Sequence, residues 1–266
     1  MSFDHFKNNC AKGGDYDSFV IKATRRVSPY LSYALYKFGL TANMVTVLGM
    51  VVGTIGAILL TRSEMFPVIV GLVMLHVSNV LDYCDGEIAR YTKLMNNDTR
   101  VGIAGAYLDW LWHLYIPIIT IFCLSFGVFK QSGHINILFF GFIALIGFCI
   151  FPFSCKEHIL IATIRRYPNI ISDTAVRDAM KDSLVSIHGD MTPRNRIYSI
   201  IRKQLADMTY YPSFFNVLTV VVGVDLVLGD YKIRYWYIIL LMVLVSFHQV
   251  LKIVRTYYVL DKIQIQ

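Results

Sequence analysis

The chain has 266 residues, of which 56% are hydrophobic and 16% charged, with a formal net charge of +7 and a mean hydropathy of +0.53. Apolar usage this far above the roughly 45–50% of soluble domains excludes an ordinary soluble globule and points to a chain embedded in lipid. The uneven placement of the charges excludes a nucleic-acid-binding module with a broad basic face, and five cysteines (Cys10, Cys84, Cys123, Cys149 and Cys155) with no C-x-x-C pair give neither a disulfide framework nor a zinc site. They are expected to be reduced or lipid-facing.

In chain order, the first 40 residues hold no long apolar run, so no cleavable signal peptide is expected. Residues 16–38 mix Arg25, Arg26 and Lys37 with Phe19, Val20, Ile21, Tyr30, Leu31 and Leu35. That pattern predicts an amphipathic helix, kinked or restarted at Pro29, lying in the headgroup plane or packed on the bundle. Six apolar runs follow, each near the ~20 residues that cross a bilayer: Asn43 to Thr61, Phe66 to Tyr91, Gly102 to Phe129, Ile135 to Cys155, Pro212 to Leu228 and Tyr235 to Val254. The fifth is short and carries Asp225. The expected fold class is an all-α integral membrane protein, a six-helix transmembrane bundle with an N-terminal interfacial amphipathic helix. Residues 1–42 form its N-terminal part and 43–266 its membrane domain.

Lys and Arg concentrate on cytoplasmic sides of membrane proteins. An arrangement with both termini cytoplasmic places every Lys and Arg on that side except Arg62, Lys130, Lys232 and Arg234. The polar stretch 156–211 is then a cytoplasmic loop of interfacial helices. Its Arg165, Arg166, Arg194, Arg196, Arg202 and Lys203 either meet a phosphorylated acceptor or contact anionic lipid. Lys156, Glu157 and His158 either bind the acceptor or snorkel to the headgroups. His76 and His248, each within a span, are expected to pack or to hydrogen-bond between helices.

Ionisable residues in apolar helices are costly and mark function. The second run ends NVLDYCDGEIARY, where Asp82, Asp85 and Ala89 share one helix face. Two carboxylates one turn apart repel each other unless a cation neutralises them, so a bound divalent metal is the simplest reason for the pair. Gly86 leaves room for a ligand to approach the backbone. Arg90, always a cation, suits a phosphate oxygen in the same cavity. In the third run, GIAGAYLDWLWHLY, residues Gly105, Asp109 and His113 recur every four positions on one stripe. Asp109 adds a third carboxylate, and such hard oxygen ligands favour Mg²⁺ or Mn²⁺. The site falls near the cytoplasmic face.

These residues resemble the pattern of the CDP-alcohol phosphotransferases (CDP-alcohol phosphatidyltransferases), D-x2-D-G-x2-A-R-x8-G-x3-D-x3-D across two membrane helices. Asp82, Asp85, Gly86, Ala89 and Arg90 match its first half, and Gly105 and Asp109 its second. Upstream, LTANMVT, with Thr41, Asn43 and Thr46, looks like the T-P-N-x-x-T start of the family's first membrane helix, with Ala42 in place of proline. Fourteen residues rather than eight separate Arg90 from Gly105, and His113 replaces the last aspartate. The resemblance implies transfer of a substituted phosphate from a CDP-alcohol donor to a hydroxyl-bearing acceptor, with release of CMP, in phospholipid or related polar-lipid synthesis. It also implies two Mg²⁺ or Mn²⁺ ions held by Asp82, Asp85 and Asp109, with His113 joining them as ligand or acting as the base. Gly86, Ala89, Arg90, Asn43 and Thr46 would lie at the nucleotide. Membrane lipids are expected partners, a homodimer is open, and nucleic acid is not expected. Two other readings stand beside this one. A transporter would carry a cation on the Asp/His cluster, but would need polar groups spread to the midplane of several spans. A catalytically silent relative would bind nucleotide or lipid without releasing CMP.

Overall fold

The computed structural model describes residues 2–10, 19–96, 103–150 and 213–262. Eight α-helices run through them, and no strand occurs among the described residues: α1 (Phe3–Cys10), α2 (Phe19–Lys37), α3 (Ala42–Leu59), α4 (Met65–Met95), α5 (Ile103–Ser132), α6 (Asn136–Ile150), α7 (Ser213–Leu228) and α8 (Lys232–Lys262). The stretch 156–211 and its basic residues lie outside the described residues. Helices α3, α4 and α5 are long and apolar enough to cross a membrane, while α6 and α7 are shorter apolar helices. The chain is an integral membrane protein built from helices.

Two compact units divide the chain, Met1–Cys123 and Leu124–Gln266. In the first, α2 runs unbroken through Pro29. It ends where Gly39 adopts a φ of 79°, with the Gly39 N–H donating to the Tyr36 carbonyl at 3.0 Å and the Leu40 N–H to Leu35 at 3.1 Å. A left-handed residue at this point closes the helix and turns the chain. Thr41 then caps α3, its hydroxyl accepting from the Met44 N–H at 3.4 Å.

Helix α3 has two faces. Met44, Val47, Leu48, Val51, Ile55 and Ile58 are exposed, while Val45, Thr46, Gly49, Gly53, Gly56 and Ala57 are buried. An outward apolar stripe opposite a stripe of small buried residues is the pattern of a helix that faces lipid and packs closely inward. The close packing is against α4. A Cβ on Gly56 would stand 2.8 Å from the Gly71 carbonyl oxygen, and one on Gly71 would stand 2.7 Å from that of Gly56. Farther along, the Ser78 hydroxyl donates to the Gly49 carbonyl at 2.8 Å. The indole of Trp112, wholly buried, fills the space that any side chain at Gly49 would need, one ring carbon lying 1.8 Å from the Cβ position. This contact sets α5 on α3 one residue before His113.

Helix α4 has 31 residues, about 46 Å at 1.5 Å per residue, against a hydrocarbon core of ~30 Å. It is thus longer than a span requires, and its last turns carry the acidic motif. Cys10, Cys84 and Cys123 are free thiols buried in protein.

In the second unit, α6 packs on α8, with Gly147 against Val245. Asp225, fully buried near the end of α7, accepts from the backbone N–H groups of Ile233 and Arg234 at 2.9 and 2.8 Å and from Arg234 Nε at 2.8 Å. Arg234 also donates through Nη2 to Gln131 at 3.1 Å. The carboxylate thus caps α8 and pairs with its first arginine.

Candidate active site

The acidic motif divides between two neighbouring helices. Successive carboxylates three residues apart differ by about 60° around a helix axis, enough for Asp82 and Asp85 to reach different partners. Asp82 meets α5: His113 Nε2 lies 3.7 Å from its Oδ1 and 3.5 Å from Asp109 Oδ1. Asp85, 5% exposed, meets α3, where the Thr46 hydroxyl donates to its Oδ2 at 2.7 Å.

One ligand atom from each of Asp82, Asp109 and His113 lies within 4.8 Å of the others. Oxygen donors bind Mg²⁺ at about 2.0–2.1 Å, so neighbouring ligands of one ion stand about 3 Å apart and opposite ones about 4.2 Å, and the three side chains have to draw together to close on an ion. Asp82 Oδ1 is buried and has no hydrogen-bond partner among the described residues, a costly state for a carboxylate unless a cation offsets it. The Asp109 side chain is 51% exposed and that of His113 37%, which leaves the cluster open on one side. Two carboxylates suit a hard divalent ion, so Asp82 and Asp109 fit the metal that the sequence suggests, with His113 beside them.

The other expected residues lie at several places on α3, α4 and α5. Gly86 is half-buried beneath the guanidinium of Arg90, whose Nη1 lies 3.1 Å from the Cβ position of the glycine. Ala89 is exposed. Asn43 reaches the start of α5, its Oδ1 standing 3.5 Å from the Cβ position of Gly105. Thr46, expected near nucleotide, is buried and donates to Asp85. Pro117, one turn beyond His113 on α5, has no N–H to give to the His113 carbonyl, so the helical hydrogen bond at that position is missing.

The opposite face of the motif helix holds residues that the sequence did not single out. Glu87, 2% exposed, accepts hydrogen bonds from Ser28 and Ser32 of α2, each at 2.6 Å and each on a different carboxylate oxygen. Cys84 Sγ donates to the Ser28 carbonyl at 3.7 Å, and the Arg25 guanidinium lies 5.2 Å from the centre of the Tyr83 ring. Arg90 donates through Nε to the Cys10 carbonyl at 2.8 Å. The one signal in the sequence was the i, i+4 spacing of two serines within an amphipathic helix, which places both hydroxyls on one face.

The family model described as CDP-alcohol phosphatidyltransferase matches residues 39–147. The matched segment takes in α3, α4, α5 and most of α6, and with them every residue of the Asp/His cluster. No curated protein matches the chain. The family resemblance carried by the motif is thus found independently, over the segment that builds the site.

Proposed function

We propose that the protein is a CDP-alcohol phosphotransferase, moving a substituted phosphate from a CDP-alcohol to an acceptor hydroxyl and releasing CMP. The observation that carries this reading is the convergence of Asp82, Asp109 and His113 inside the segment that matches the family. Asp82 and Asp109 would hold the divalent metal, and Asp85, held by Thr46, would complete the site for a second ion. When bound, such ions screen the diphosphate and stabilise charge on the leaving oxygen.

The chain's own groups then have separable tasks. Arg90 holds a phosphate oxygen by charge-assisted hydrogen bonds. The absence of a side chain at Gly86 and the small one at Ala89 let the nucleotide approach the helix backbone. His113 Nε2, facing the two aspartates, accepts in its unprotonated form the proton of the acceptor hydroxyl as its oxygen bonds to phosphorus and the bond from phosphorus to the CMP oxygen breaks. The family match favours transfer chemistry over solute transport.

The test is to incubate purified protein and divalent metal with a panel of CDP-alcohols and hydroxyl-bearing acceptors, among them inositol phosphate, glycerol phosphate and diacylglycerol, and to follow CMP by mass spectrometry. Metal-dependent CMP release with a matched phosphodiester product is expected. CDP binding without CMP release from any pair would instead make the protein a silent relative.

A further inference from the structure

We propose that α1 is a positioning element for donor binding: its terminal carbonyl, at Cys10, fixes the guanidinium of Arg90 against Gly86. The inference rests on the reading of the site as a CDP-alcohol site. It concerns a helix outside the segment that matches the family.

Helix α1 has eight residues, too short to persist in isolation, so its conformation depends on what it packs against. Its partners are aromatic residues of α2 and, on α4, the residue next to Arg90. Phe6, fully buried, lies 4.6 Å from the Tyr91 ring and 5.7 and 5.8 Å from those of Tyr33 and Tyr36. Tyr36 in turn meets Tyr91 edge-on at 5.2 Å, and His5 Nδ1 is 3.0 Å from the Tyr91 hydroxyl. The aromatic cluster seats α1 on α4 so that its last carbonyl meets Arg90 Nε at 2.8 Å. A helix C-terminus leaves carbonyls unsatisfied and carries partial negative charge, both of which a guanidinium answers.

A guanidinium is planar, with its N–H donors in a fixed fork. Holding Nε on Cys10 and resting Nη1 over Gly86, 3.1 Å from the glycine's Cβ position, therefore sets the plane of the whole group. Gly86 is where the motif leaves room for the nucleotide, so the terminal nitrogens are placed along the donor's route before it arrives.

The experiment is a double-mutant cycle on the purified full chain, titrating CDP in the presence of Mn²⁺ by calorimetry. Phe6→Ala is expected to weaken CDP binding about tenfold and Arg90→Ala about a hundredfold, with the double variant no weaker than Arg90→Ala alone. Phe6→Tyr, which keeps the ring, should restore most of the affinity. If Phe6→Ala does not fold, Phe6→Leu keeps most of the buried volume and supports the same cycle. Wild-type affinity in the folded Phe6 variant overturns the proposal. So does a loss that persists in full in the Arg90→Ala background, since α1 would then act by another route. Failure of the wild-type protein to bind CDP is a separate outcome, which overturns the reading of the site itself and this inference with it.

Discussion

The Thr46 hydroxyl donates to Asp85 Oδ2 at 2.7 Å, joining two helices through residues 39 positions apart. The hydroxyl also lies 3.1 Å from the Ala42 carbonyl, so it sits between its own helix backbone and the motif carboxylate. A hydrogen bond to a charged group contributes about 1.5–3 kcal/mol. Thr46→Val, which keeps the shape and removes the donor, is expected to lower kcat/KM by roughly 10–100-fold, and Thr46→Ser to retain most of it. Steady-state CMP release measures both. Equal loss in the serine and valine variants would show that the methyl group, not the hydroxyl, matters.

The three carboxylates should not respond alike to a neutral isostere. Asp82→Asn and Asp109→Asn each remove a charged member of the donor group, and activity should be lost at any metal concentration that leaves the protein folded. Asp85→Asn keeps a carbonyl for Thr46, and should be measured for Mn²⁺ affinity as well as turnover. Chelator treatment should abolish activity and added Mg²⁺ or Mn²⁺ restore it. Undiminished turnover after chelation would remove the metal from the mechanism.

His113 is tested by removal and by restoration of the family residue. As the general base, it should cost about 10²–10⁴-fold in kcat when changed to alanine, with little change in CDP affinity. His113→Asp should recover part of that rate. Near-normal turnover in His113→Ala would make the histidine a packing residue.

The Cys10 thiol provides a pH test of α1 docking. Burial pushes its pKa from 9.0 up to about 11, so the docked state favours the neutral thiol. That contribution to docking is complete below 9.0 and is lost as pH rises toward about 11. Alkylation at Cys10, followed by peptide mass spectrometry, should be slow at neutral pH and should accelerate across that interval. Rapid modification at neutral pH would mean that α1 is undocked.

Helices α3, α4 and α5 were legible as apolar runs because lipid demands long, unbroken ones, and the Asp/His cluster stood out because carboxylates are expensive in such helices. The divergence of Asp82 and Asp85 was harder to read. A shared helix face spans a wide arc, and only the positions of α3 and α5 show which carboxylate meets which neighbour. Glu87 passed unnoticed because its partners, Ser28 and Ser32, are distant in sequence and common in any amphipathic helix. Backbone groups such as the Cys10 carbonyl carry no sequence signal at all. A missed signal was the Gly49, Gly53, Gly56 spacing, which announces close helix packing.

Asp225 made α7 look the least convincing of the apolar runs, and its pairing with Arg234 bears on how α7 and α8 depend on each other. An ionised aspartate buried without partners is costly. Here, among the described residues, the carboxylate takes its donors from Ile233 and Arg234 at the start of α8. The Asp225–Arg234 pair thus joins α7 to the start of α8 with its two charges cancelled, and neither helix has its buried ionic group satisfied until the other is in place.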